Sequence, residues 1–172
     1  MLIWLGIWGG TRLALAWIAG LIVCGAVTAA LKIYFHACPI PGVALDSPSG
    51  HTSMSLFVFG GLTLVTAAQT RTWRRAAVLL LGGLLILAIA WSRAMLDYHS
   101  LPEVIIGLII GTLALTLFWL PFRRFRPAQM PLWPLWIATL VPIVVLHGHQ
   151  ISTENLLHRI ALYLRNVIDF CA

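Results

Sequence analysis

Two histidines stand in patterns that chemistry can use. Pro48-Ser49-Gly50-His51 sets one of them behind a serine and a glycine. Ser92-Arg93 is followed after five residues by His99, and Glu103 lies four residues further on; Lys32 stands upstream. A histidine is a capable nucleophile once its tautomer is fixed. A carboxylate four residues along a helix shares its face, so Glu103 can hold the Nδ1 proton of His99 and leave Nε2 to attack. His51 can then protonate a departing oxygen. Lys32 and Arg93 add positive charge, and a guanidinium grips phosphate oxygens bidentately. Such a set suits a phosphate group. Each residue also has a plainer role open to it. His51 can simply start a helix, and His99 with Glu103 can cap one. Lys32 can snorkel to an interface, and Arg93 can anchor to a headgroup.

The elements that must position these residues are helices in a membrane. The chain has 172 residues, 60% of them hydrophobic and 9% charged. A soluble domain carries about 25% charged residues, so a soluble globular protein and a disordered tail are both excluded. A spanning helix needs roughly 20 apolar residues. The apolar runs predict five spans, at Leu13–Phe35, Ser49–Ala68, Ala76–Met95, Glu103–Leu120 and Leu132–Leu146. Met1–Gly10, with Trp4 and Trp8, reads as an interfacial lead-in. Gln69–Arg75 and Pro121–Pro131 read as basic loops. Arg12 followed by Leu13–Val23 imitates a signal peptide and is read as part of the first span. Ser152–Phe170 repeats Leu157, Ile160, Ala161, Leu164, Val167 and Ile168 at helical spacing. That amphipathic helix is expected to lie along the surface or to cover the bundle as a lid. The fold class is therefore all-α: a polytopic membrane helix bundle of about five spans plus a C-terminal amphipathic helix, forming one domain over residues 1–172.

Charge gives the bundle a direction. The net charge is +6. With this hydropathy it reads as a cytoplasmic excess of Lys and Arg and not as a nucleic-acid footprint. One membrane face receives Arg12, Arg71, Arg74, Arg75, Arg123, Arg124 and Arg126 and no acid. The other receives Lys32, Arg93, Arg159 and Arg165 with Asp46, Asp97, Glu103, Glu154 and Asp169. By the positive-inside rule the second face looks outward, toward the periplasm of a bacterial inner membrane. Because the spans alternate in direction, Lys32, Ser49–His51, Arg93, His99 and Glu103 all converge on that outward face. A helix N-terminus arrives there too, and it favours anions. Cys24, Cys38 and Cys171 follow no metal spacing and fix no redox compartment. His147 and His149 are only a weak hint of a metal.

At these residues the chain resembles the type 2 phosphatidic acid phosphatase superfamily of integral membrane lipid phosphatases. That family carries K-x6-R-P, P-S-G-H and S-R-x5-H-x3-D. The second motif is complete as Pro48-Ser49-Gly50-His51. The third matches as Ser92, Arg93 and His99, with Glu103 where the family usually has Asp. The first is degraded: Lys32 is followed by Cys38-Pro39, so the arginine is absent and the spacing is one residue short. The resemblance covers about residues 30–112, taken as the catalytic core.

The resemblance implies a metal-independent phosphatase, without cofactor, acting on a lipid phosphate or diphosphate at the outer leaflet. His99 would form a phosphohistidine, Glu103 would orient it, and His51 would be the acid and then the base. Lys32, Ser49, Gly50 and Arg93 would bind the substrate phosphate. The apolar flank between the spans would take an acyl or prenyl chain, undecaprenyl phosphate among the candidates. Two alternatives stay open: a phosphotransferase using the same intermediate, and a non-catalytic lipid-phosphate binder on a decayed scaffold. The expected partners are the lipid phosphate and membrane lipids, with no nucleic acid. The oligomeric state is left open by the sequence.

Overall fold

The structure, a computed structural model, describes residues 1–43, 45–125, 130–145 and 153–168. The described residues form seven α-helices and no strand. These are α1 (Leu2–Gly9), α2 (Thr11–Ala37), α3 (Gly50–Ala68), α4 (Thr72–Met95), α5 (Leu101–Phe125), α6 (Trp133–Val145) and α7 (Thr153–Ile168). Helices α2, α3, α4 and α5, of 27, 19, 24 and 25 residues, are long and apolar enough to cross a membrane. At 1.5 Å per residue even the shortest reaches about 28 Å, close to the roughly 30 Å hydrocarbon core. The protein is an all-α integral membrane bundle.

The span expected at Leu132–Leu146 is described as α6, Trp133–Val145, and four described helices are by themselves long and apolar enough to span. Two loop boundaries differ from the sequence expectation. The loop expected at Gln69–Arg75 is shorter, because α4 begins at Thr72 and takes Arg74 and Arg75 into its first turn. The loop expected from Pro121 begins later, because α5 runs through Pro121 to Phe125. Proline inside a helix costs about 3 kcal/mol. Here Phe122, fully buried beyond it and tilted against Phe118 at 5.5 Å, offsets much of that; burying a phenylalanine contributes about 1.5–3 kcal/mol.

Helix α3 is the centre of the bundle, packed against α2, α4 and α5. Trp17 of α2 stacks on Phe57 of α3 at 4.4 Å and meets Phe118 of α5 edge-on at 5.0 Å. Helix α4 is the opposite case. Leu80, Leu81, Leu84, Leu87 and Trp91 are exposed, as a lipid-facing helix requires. The lead-in folds back as α1 and ends at Gly10, whose φ of +77° suits a residue without Cβ. Trp4 is buried there and donates from Nε1 to the Pro131 carbonyl at 2.8 Å.

Two contacts fix the ends of the bundle. The Arg12 guanidinium lies 5.3 Å over the Phe125 ring, so the start of α2 and the end of α5 share one face. The Ser49 N–H donates to the Glu103 carbonyl at 3.1 Å, so the starts of α3 and α5 share the other.

Candidate active site

The site begins with two helix starts pressed together. Ser49 is the N-cap of α3, in extended conformation. Its hydroxyl accepts from the Thr52 N–H at 3.4 Å and the Thr52 hydroxyl at 2.9 Å. The cap satisfies the Thr52 amide and sets the Gly50 amide at the very start of α3, ahead of the intrahelical ladder. Helix α5 can come this close because Gly107 has no side chain. A Cβ there would lie 2.6 Å from the Ser49 carbonyl oxygen. The same holds one turn on, where a Cβ on Gly111 would lie 2.7 Å from the Ser53 carbonyl.

Glu103, in the first turn of α5 and 5% exposed, is gripped from four sides. Its Oε1 accepts from the Asp46 and Ser47 amides, each at 2.7 Å. Its Oε2 accepts from the Ser100 amide at 3.0 Å and lies 2.9 Å from His99 Nδ1. A carboxylate buried with this many donors is an acceptor only. In the neutral imidazole this arrangement puts the proton on Nδ1 and leaves the lone pair on Nε2. Ser100-Leu101-Pro102-Glu103 also has the spacing of a capping box, in which the third residue of a helix bonds back to the cap amide. So the contact with His99 and the helix cap coexist in the structure. The glutamate caps α5 with Oε2 and holds the imidazole with the same oxygen.

A cavity of about 570 Å³ opens beside this network. Lys32 from α2, Gly50 and His51 from α3, and His99 line its polar end. Gly25, Ala29 and Met54 line its apolar side together with Leu156 and Leu157 of α7. Lys32 is buried, at 6% exposed, although it belongs to a long apolar helix. A lysine that merely snorkels would reach toward water.

Arg93 stands next to the cavity and not in its lining. Its guanidinium lies 5.5 Å over the Tyr98 ring, and Nε is buried with no hydrogen-bond partner among the described residues. The connection that carries Arg93 and His99 is closed by the His99 N–H donating to the Arg93 carbonyl at 3.2 Å. Asp97 turns it with a left-handed φ of 53° and is exposed, a solvated loop carboxylate as expected. Ser49 is brought to the site but its side chain is fully buried in the cap. Arg159 is exposed, and the residues that α7 turns to the cavity are Leu156 and Leu157. His147 and His149 lie outside the described residues.

The family model for the PAP2 superfamily matches residues 40–127, just over half of the chain. The chain belongs to the PAP2 superfamily. The matched stretch holds Pro48–His51, Ser92, Arg93, His99 and Glu103 and starts after Lys32, whose place rests on the cavity geometry. The chain is also similar to a Klebsiella pneumoniae protein described as an uncharacterized 22.5 kDa protein in a cps region. The two are 29% identical over 160 residues, covering 88% of this chain and 76% of that one. No solved structure matches.

In this PAP2 member the position of the absent first-motif arginine is taken by Cys38, which is disulfide-bonded and so offers a phosphate no donor. Cys24 is a free buried thiol. Four contributors to the site lie outside the motifs. The Asp46 and Ser47 contributions are main-chain amides, and Leu156 and Leu157 lie more than 50 residues beyond the motifs. A usable signal did exist for the α3–α5 contact: Glu103, Gly107 and Gly111 recur every four residues along one helix face.

Proposed function

We propose that this PAP2 protein is a lipid phosphatase that releases phosphate from a lipid phosphomonoester or diphosphate through a phosphohistidine on His99. One observation carries the reading. The His99 imidazole is held through Nδ1 by a carboxylate that backbone amides fix in turn, and it lines the same cavity as His51 and Lys32. In the first step His99 Nε2 attacks phosphorus, and the bond to the lipid oxygen breaks. His51 gives its proton to that oxygen, so the lipid leaves as an alcohol, or as a monophosphate from a diphosphate. In the second step His51 takes a proton from water, the hydroxide attacks the phosphohistidine, and the N–P bond breaks. Inorganic phosphate leaves and His99 is regenerated.

Lys32, Arg93 and the amide at Gly50 balance the charge that builds on the equatorial oxygens, the main source of acceleration in such a transfer. Ser49 acts by aiming the α3 amides. All of these cations belong to the protein, so the proposal involves no metal ion.

The site is proposed to face the periplasm of a bacterial inner membrane. The arginine asymmetry supports this orientation, as does the disulfide at Cys38 on the same face as the site, since disulfides persist in oxidising compartments. The test is phosphate release from a panel of glycerolipid and polyprenyl phosphates by purified protein. Release is expected from the wild type and should fall at least 1000-fold in His99→Ala, with thermal stability retained. Release by a folded His99→Ala protein at the wild-type rate would exclude the phosphohistidine. Transfer of phosphate to an added acceptor alcohol in place of water would favour a phosphotransferase.

A further inference from the structure

We propose that α7 forms one wall of a hydrocarbon channel leading from the catalytic phosphate site, and that Leu156 and Leu157 there select substrates by chain length. The proposal rests on the phosphatase reading for its phosphate end and adds the identity of the chain-binding surface. Two grooves among the described residues are apolar enough to hold a chain. One lies between α4 and α5, against Leu84, Leu87, Trp91, Ile105 and Leu108. No histidine and no cation lines it, so a chain lying there has no phosphate anchor within the same groove. The other is the cavity bounded by α2, α3 and α7. It has Lys32, His51 and His99 at one end and Gly25, Ala29 and Met54 further along.

That second cavity has the polarity of a lipid phosphate. From Lys32 back to Gly25 is two turns of α2, about 10 Å, with small residues at Gly25 and Ala29 leaving room beside the helix. Helix α7 closes the open side. It packs against α2, and Ala161, one turn from Leu157, is buried to 1% exposed. Leu156 is 59% exposed although it lines the cavity. An apolar side chain in that position gains most from an apolar occupant, since the gain follows the area removed from water. The occupant we commit to is the acyl or prenyl chain of the phosphate-bearing lipid. Beyond the cavity the chain runs on into the bilayer, so selection saturates once the chain outruns Gly25.

The test uses non-hydrolysable alkyl phosphonates, from butyl to decyl, binding to the full chain in one detergent. The readout is the ratio of decyl to butyl affinity, with partition into micelles cancelled by comparing proteins in the same detergent. Wild type should bind decyl phosphonate at least tenfold more tightly than butyl. The double variant Leu156→Ala/Leu157→Ala should lose most of that ratio. Gly25→Leu should do the same from the opposite wall. Its added Cβ would have Met54 Cε at 3.5 Å, an ordinary contact, so the helix can accept it. Leu162→Ala, exposed on α7 and absent from the cavity lining, should keep the wild-type ratio. An unchanged ratio in both wall variants would overturn the channel. So would an equal loss of butyl and decyl affinity, which would mean that α7 only supports the fold. Phosphate release is measured separately on the wild type. Its absence would sink the phosphatase reading, while the phosphonate ratio would still decide the channel.

Discussion

Glu103 is the residue on which the chemistry and the fold meet. Its two oxygens accept from three backbone amides and hold one imidazole, so different substitutions should separate the two roles. Glu103→Ala leaves the Asp46, Ser47 and Ser100 amides without their acceptor. A buried unsatisfied donor costs about 1–3 kcal/mol, so this variant should lose both stability and activity. Glu103→Gln keeps the size and one carbonyl acceptor but cannot balance an imidazolium by charge. It should remain folded, with phosphate release slowed by about 100-fold or more. Glu103→Asp is one methylene shorter and can satisfy the loop or the imidazole but not both. Its rate should fall between those of wild type and Glu103→Gln. A Glu103→Gln protein with wild-type turnover would reduce the carboxylate to a helix cap. The sequence makes the His99–Glu103 pair legible, because i,i+4 spacing on a helix is a statement about distance. It does not reveal the Asp46 and Ser47 amides. Every residue has an amide, and only the path of the loop decides which ones reach the carboxylate.

At the scale of elements, the site depends on how closely α5 approaches α3. Gly107 permits the approach, and the Ser49 N–H to Glu103 carbonyl bond uses it. Gly107→Ala should push the two helix starts apart and cost about 1–3 kcal/mol, as overpacking does. Because Glu103 and His99 ride on that helix start, turnover should fall together with the thermal midpoint. Gly83 of α4 is the control: a Cβ there meets nothing within 4 Å. Gly83→Ala should be neutral or slightly stabilising, since alanine suits a helix interior better by roughly 0.5–1 kcal/mol. Equal effects at the two glycines would show that helix propensity, not the α3–α5 contact, is being measured. The order and polarity of the four long helices were readable from apolar runs, and so was the meeting of their ends. The extent of α5 past Pro121 was not, because the burial of Phe122 that compensates the proline is a tertiary fact.

For the whole molecule, the open question is which face of the membrane carries the cavity, and the cysteines answer it with a single protein. Cys38 ends α2 on the face of the site and is disulfide-bonded. The chain has three cysteines, and Cys24 is a free thiol. Digestion of membrane-extracted protein without reductant should therefore yield the Cys38 peptide in a cross-linked form that is lost on reduction. A disulfide typically contributes about 2–4 kcal/mol, so reduction or Cys38→Ser should lower the thermal midpoint measurably. The same cysteines report orientation. With Cys24 buried among α2 and α3, a Cys24→Ser protein bearing a new cysteine at Gln69 should resist an impermeant thiol reagent in intact cells. A new cysteine at the exposed Asp46 should react. The arginine-rich ends of α2, α4 and α5 would then be cytoplasmic and the cavity would open outward. If Gln69→Cys labels and Asp46→Cys does not, the site faces the cytoplasm. Cys38 would then be expected as a thiol in protein taken from cells, because cytosolic disulfides are rare. The labelling pattern and the redox state of Cys38 must agree, and a disulfide found on the unlabelled face would refute the charge-based orientation and its link to the oxidising compartment together.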